Sequence, residues 1–270
     1  MLPRIPTPLP LLTIAGSDSG GAAGLQADLK TWATFGSRVY GMSAVTAVTA
    51  QNSARVAAVH FLPPEMVAAQ IDAALSDYGA AAIKTGFLGR VDIIEAVAGR
   101  LAYWRERLTP RPGLVIDPVL VNHRGEAMFG PEVAAAYRGL LFPIADLVTP
   151  NAAEAVLLET TNDERRMTSP GSLSGASRVL VKGISRDDQI IDIYRDGREW
   201  VELPQPRIDT INTHGSGDTL SAAVCAFVAQ GHDWLDAVRR AQVFTHDAIR
   251  RGAAWRLGAG HGPLGHFNDE

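Results

Sequence analysis

The stretch His214-Gly215-Ser216-Gly217-Asp218 runs directly into the apolar segment Thr219-Leu-Ser-Ala-Ala-Val-Cys-Ala-Phe-Val228. Two glycines around a serine at the start of a helix leave several backbone N–H groups without carbonyl partners and aimed at one point. With the positive end of the helix dipole behind it, such a turn holds an anion. Asp218 at its rim would be repelled by that anion unless it had work of its own, such as taking a proton from an attacking hydroxyl. The same residues also read as an ordinary loop with a Ser or Asp helix cap. What surrounds them decides between the two.

Working outward, short apolar runs alternate with longer helical patterns. Residues 11–15, 42–49, 81–85, 114–116, 147–149 and 179–181 read as strands. Residues 190–194 and 199–203 flank Asp196-Gly197, a strong hairpin signal. Helical faces are marked by Leu25, Leu29 and Trp32, and by Met66, Ile71 and Leu75 after Pro63-Pro64. Further helices are expected over 91–104, from Ala152, and over 217–230 and 234–250. This alternation predicts an α/β fold, a mostly parallel sheet covered by helices. The proline-rich residues 1–10 read as a frayed, disordered extension and residues 11–270 as a single domain.

Bulk properties narrow the function. With 46% apolar and 20% charged residues among 270, the chain is neither disordered nor membrane-spanning. A net charge of −4 and the lack of a basic run argue against nucleic acid as a partner. One cysteine, Cys225, excludes an internal disulfide or a cysteine metal cluster and reads as buried helix packing. The first ten residues lack the apolar core of a signal peptide, so a cytoplasmic address is expected.

Asp18, Gln51, Asp117, Asn151 and Lys182 each lie just past the carboxyl end of an expected strand, the edge where open α/β sheets bind ligands. The glycine-rich loop 17–24 lacks the dinucleotide fingerprint and reads instead as a flexible lid over a substrate. Asn151-Ala-Ala-Glu154 reads as a capping box. Asp117 and Glu154 equally read as a pair acting on a magnesium–nucleotide, since magnesium often takes only one or two carboxylates. Lys182 is either a plain surface lysine or an ammonium inside the cleft. The histidines show no zinc spacing, and residues 261–266 read as a terminal turn.

Thr13-Ile-Ala-Gly-Ser-Asp18, Gln26-Ala-Asp-Leu-Lys30, Tyr40-Gly-Met-Ser43, Thr49-Ala-Gln-Asn52, Lys84-Thr-Gly86, Asp117-Pro-Val119, Thr149-Pro-Asn-X-X-Glu154, Val181-Lys-Gly183 and Asn212-Thr-His-Gly-Ser-Gly217 follow in an order that resembles one family. It is the hydroxymethylpyrimidine/phosphomethylpyrimidine kinases of thiamine synthesis, ribokinase-like proteins related to pyridoxal kinases. The resemblance implies a three-layer α/β/α sandwich, commonly a homodimer, that moves the γ-phosphoryl of ATP to a hydroxymethyl oxygen. It assigns Gly215, Ser216 and Gly217 to the anion hole and Asp218 to the base. Lys182, Asn151 and Thr213 fall on the ATP side, and Asp117 and Glu154 on magnesium. Gly16, Asp28, Gln51, Phe87 and Val119 match positions around the pyrimidine.

Departures accompany the match. Pyrimidine kinases of this family usually carry Cys where this chain has Asp218, and Met is common in place of Phe87. Residues 159–178 are short, with a poor helix pattern. Two other readings therefore stand beside the leading one: a pyridoxal kinase, and a pyrimidine-binding regulatory protein with a decayed nucleotide site.

Overall fold

The computed structural model describes residues 7–122, 124–159, 173, 175–197 and 199–267. In chain order its elements are β1 (Leu9–Ser17), α1 (Gly24–Ala33), β2 (Val39–Gln51), β3 (Val56–Phe61), α2 (Pro64–Asp77), β4 (Ala82–Thr85), α3 (Val91–Arg105) and β5 (Gly113–Ile116). Then follow α4 (Pro131–Ala136), β6 (Leu147–Val148), α5 (Ala152–Leu158), β7 (Arg178–Arg186), β8 (Gln189–Asp196), β9 (Glu199–Pro206), α6 (Ser216–Ala229) and α7 (Trp234–Gly252). The described strands form one sheet in the order β3-β2-β1-β4-β5-β6-β7-β8-β9. From β2 to β7 neighbours pair in parallel, while β3 at one edge and β8 and β9 at the other pair antiparallel.

Alternation along the strands builds the layers. Leu12 and Ile14 of β1 and Ile83 of β4 pack with Val67, Ile71 and Leu75 of α2 and Ile93, Val97 and Leu101 of α3. Their neighbours Leu11 and Ala82 pack the other way, with Trp32 of α1, Ala222 to Ala226 of α6 and Val238 of α7. Successive strand side chains point to opposite faces, so a run apolar on both faces must be covered on both. The result is the three-layer α/β/α sandwich that the resemblance implies.

Three details differ from the sequence reading. The expected extension over residues 1–10 is too long, because Leu9 and Pro10 already pair with Val39 and Tyr40 in β1 and β2. The strand β3 carries no buried face that its sequence could announce: every residue from Val56 to His60 is exposed and only Phe61 is half-buried. In α2 the inward face is Val67, Ile71 and Leu75, and Met66 is exposed. The shortened segment around 159–178 lies largely outside the described residues.

Candidate active site

The carboxyl ends of the parallel strands open onto the start of α6. Gly215 caps that helix at φ +84°, and a Cβ there would stand 1.9 Å from the Ala22 carbonyl oxygen. Both facts demand glycine. Ser216 donates its N–H back to the Thr213 carbonyl at 3.1 Å, and Thr219 N–H to that of Gly215 at 2.9 Å. The N–H groups of Gly217 and Asp218 lie in the first turn, where a helix has no carbonyl of its own to offer them. Gly217 meets the Lys182 ammonium, which a Cβ would approach to 2.9 Å. Three sources of positive potential, two N–H groups and one ammonium, therefore converge on this turn.

Asp218 faces the other way. One carboxylate oxygen accepts the Gly24 N–H at 3.0 Å, and the other accepts from Lys84 Nζ at 3.3 Å. Burial raises its affinity for a proton, but Lys84, the Gly24 N–H and Lys182 outweigh burial and hold the carboxyl below its ordinary value. It is an ionised acceptor at neutral pH.

Lys182 owes its position to a break in β7: the pairing with β8 shifts register between Val181 and Ile184, and Gly183 sits at φ +78°. The irregularity turns the ammonium into the cleft, where Nζ lies 2.7 and 2.8 Å from the two oxygens of Asp117. Ser221 also donates to Asp117, at 2.9 Å. The capping box at Asn151 is real: its side chain accepts from Glu154 N–H, and Glu154 accepts from Asn151 N–H. Glu154 also receives the Leu120 N–H at 3.1 Å. Burial pushes its carboxyl up to about 7, with Lys182 opposing and the charge of Asp117 reinforcing the rise.

Two cavities flank the α6 turn. The larger, about 500 Å³, is walled by Gly16, Gln51, Phe61, Phe87, Val119 and Phe129, with Asp218 at its edge. The Phe87 ring lies 5.8 Å from Phe61 and 5.6 Å from Phe129, forming an aromatic wall. Gln51 Nε2 lies 3.0 Å from His214 Nε2, and the His214 ring stacks on His261 at 5.4 Å. The second cavity, about 460 Å³, is bounded by Asp192, Arg207, Ile208, Gln242, His246 and Ile249. Asn151, Lys182, Thr213, Ser216 and Gly217 border both. The first turn of α6 is thus the shared wall between the two cavities.

The glycine-rich loop is pinned, unlike the expected flexible lid. Asp18, almost wholly buried, accepts from the N–H groups of Gly20, Ala22 and Ala23 at 2.7, 2.9 and 3.0 Å. Of the residues singled out from sequence, Asp28 is the exception to the gathering. It lies fully buried beneath the cleft, bonded to Thr13 and Lys84, and does not line the larger cavity. Its place in the sequence carried the signal, since Leu25, Asp28 and Trp32 share the inward face of α1. Sequence reasoning quoted Lys84 and His214 within motifs and read His261 as part of a terminal turn, but gave none of the three a role at the site. Lys84 is a lysine inside an apolar strand, a pattern that costs several kcal/mol unless paired. The terminal turn expected over residues 261–266 does not form: past a bend at His261 the segment is irregular, Pro263 bridges His214, and the segment seals the site, with His214 N–H donating to Gly262 O at 3.0 Å and His266 meeting Thr219 at 2.9 Å.

Fold and site together define a ribokinase-like sandwich with its ligand spaces divided by a helix N-terminus. The sequence profile of the family described as phosphomethylpyrimidine kinase matches residues 18–265. The chain is 42% identical over 264 residues to the hydroxymethylpyrimidine/phosphomethylpyrimidine kinase of Rhizobium meliloti, covering 95% of this chain and 96% of that one. Pyridoxal kinase of Bacillus subtilis, solved with ADP, has a similar structure at TM-score 0.83 and 35% identity, over 96% of this chain and 97% of that one. Phosphomethylpyrimidine kinase of Clostridium difficile does so at TM-score 0.74 and 33% identity, over 89% and 99%. The chain belongs to the phosphomethylpyrimidine kinase family.

Proposed function

We infer that this chain is an ATP-dependent kinase acting on hydroxymethylpyrimidine and phosphomethylpyrimidine in thiamine biosynthesis. One observation carries the reading: a turn built to hold an anion separates two ligand-sized cavities, and an ionised carboxylate stands on one side of it. Phosphoryl transfer needs in-line alignment and neutralised charge more than covalent chemistry. ATP occupies the cavity of Asp192, Gln242 and His246, with its terminal phosphate over Gly215, Ser216 and Gly217. Lys182, Asn151 and Thr213, on the border of both cavities, meet the phosphates. The pyrimidine lies against Phe87, Gly16 and Val119, with Gln51 facing its amino group and ring nitrogen. Asp218 takes the hydroxymethyl proton as the oxygen attacks.

The donor set fits magnesium. Asp117 and Glu154 are hard oxygen donors on the cleft wall, and a cation would relieve the burial and the Asp117 charge that together raise Glu154. Among the described residues no group of three or more His, Cys, Asp or Glu forms a protein cage, so such an ion would rely on phosphate and water for its other ligands. When bound it neutralises charge on the transferring phosphates. A cytoplasmic homodimer is the setting this reading implies, and among the described residues no helix is long and apolar enough to cross a membrane.

A pyridoxal kinase is the second reading, favoured by Asp218 in place of Cys and by the likeness to the Bacillus subtilis enzyme. ATP turnover measured with hydroxymethylpyrimidine, its monophosphate and pyridoxal separates the two. Turnover with either pyrimidine at least tenfold above pyridoxal is expected. A preference for pyridoxal would reverse the assignment, and pyrimidine binding without ATP turnover would make the protein a regulator.

A further inference from the structure

Lys84 is the one fully buried lysine among the described residues, and its surroundings explain how the fold tolerates it. It stands on β4 directly beside Thr13 of β1, so both side chains leave the sheet toward α1 and α6. There Lys84 Nζ lies 2.9 and 3.0 Å from the two oxygens of Asp28, which also accepts the Thr13 hydroxyl at 2.5 Å. On its far side the same ammonium reaches Asp218, at 3.3 Å. Gly86, two residues on, leaves the room: a Cβ there would come 3.2 Å from Lys84 Nζ and 3.7 Å from the Asp218 carboxylate. Asp28 and Lys84 have no exposed side-chain surface, whereas Asp218 keeps 15% of its own. The array runs from a sealed carboxylate through a sealed ammonium to a carboxylate at the edge of the cleft.

We propose that Lys84 is a positioning residue for phosphoryl transfer: anchored by Asp28, it fixes the Asp218 carboxylate in place and keeps it ionised. The inference rests on Asp218 being the base. An ionised carboxylate cut off from water needs a partner to stay charged. A long lysine side chain would wander, and Asp28 and Thr13 remove that freedom from behind. The ionisable groups around Asp218 and Lys84 are Asp28 on α1, Lys182 on β7, Asp117 after β5 and, deeper on α6, the Cys225 thiol. Burial pushes that thiol well up, so it stays neutral and leaves the balance to the others. Burial raises Asp28 to about 7 while Lys84 opposes the rise. Asp28 therefore competes only partly for the ammonium, and Asp218 retains its share.

The test is the pH dependence of turnover in the full-length enzyme with ATP and its preferred pyrimidine. Lys84→Met should lower kcat at least tenfold, leave the KM for ATP within about twofold, and move the acid limb upward by about 1–3 pH units, the effect of removing an adjacent cation. Asp28→Asn keeps the shape and leaves Lys84 to Asp218 alone, so its acid limb should not rise. Should Lys84→Met fail to fold, Lys84→Met/Asp28→Asn removes both ends of the buried pair, a change proteins tolerate better than removing one. Its acid limb should rise as for the single variant. Asp218→Asn serves as the reference and should lose roughly 10²–10⁴ in turnover. Wild-type turnover in Asp218→Asn would overturn the base itself. An inactive Asp218→Asn with an unshifted acid limb in the Lys84 variants would overturn only the role of Lys84.

Discussion

Two lysine–aspartate pairs meet the first turns of α6, and they differ in their access to water. Lys84 and Asp28 are sealed under the sheet edge, while Lys182 and Asp117 have side chains 12% and 2% exposed and border the cleft. Both pairs span similar distances, so geometry alone does not separate them. A sealed pair cannot exchange its partner for a ligand, and its effect on chemistry must pass through a neighbour such as Asp218. A pair open to a cavity can part: an arriving phosphate competes for Lys182, and a cation for Asp117. One pair is permanent and the other provisional.

Stability measurements break that comparison most sharply. Lys84→Met leaves Asp28 buried and unpaired and should cost about 3–5 kcal/mol in urea unfolding. Lys182→Met leaves Asp117 with its Ser221 hydrogen bond and the adjoining cavity, so its cost should be smaller than that of Lys84→Met. In exchange it should weaken ATP, read as a rise in KM. Equal destabilisation by the two variants would erase the distinction.

A pH effect on stability comes next and belongs to the sealed side. Burial, with Lys30 and Arg251 adding repulsion, lowers the His266 imidazole to about 4 against the Leu264 hydrogen bond. A depressed folded value means that the neutral ring contributes stability above its unfolded pKa of about 6.5. That contribution, on the order of 2–3 kcal/mol, is lost as pH falls from about 6.5 to about 4. Thermal melts across this window should show the loss, and His266→Gln should flatten it. An unchanged slope in the variant would place the acid sensitivity elsewhere.

The smallest effect is expected on the open side. Gln51→Leu should reduce kcat/KM for the pyrimidine by an order of magnitude or more, since leaving a buried polar partner unpaired costs about 1–3 kcal/mol. Folding stability should barely move, because the amide's contact is with half-exposed His214. Unchanged kinetics would mean that Gln51 serves His214 and not the substrate.

What the sequence disclosed follows the same division. The cleft residues were legible because each sits next to a local signal: a strand end, a glycine, a helix start. Gly215, Lys182, Asp117 and Gln51 could be singled out one at a time, and the structure gathers them around one cleft. The sealed array was not legible, because Lys84 meets Asp28 across 56 positions and Asp218 across 134. Only the register Thr13↔Lys84 brings these groups together, and register is a property of the folded sheet. Asp28 was misplaced because its motif marked it as functional, although its helical spacing with Leu25 and Trp32 put it on the inward face of α1. The edge strand β3 escaped notice because it buries no face of its own.

The bridge between His214 and Pro263 has a consequence for how the enzyme comes into being. Synthesis delivers the turn at residues 214–218 before the segment that clasps it, in which Gly262 packs against the Asn212 side chain and His266 meets Thr219. A nascent chain on the ribosome, folding from its N-terminus, would have its sheet assembled while the turn still lacked its last contacts. Competence to handle a nucleotide would wait until residues 262–266 had followed the turn.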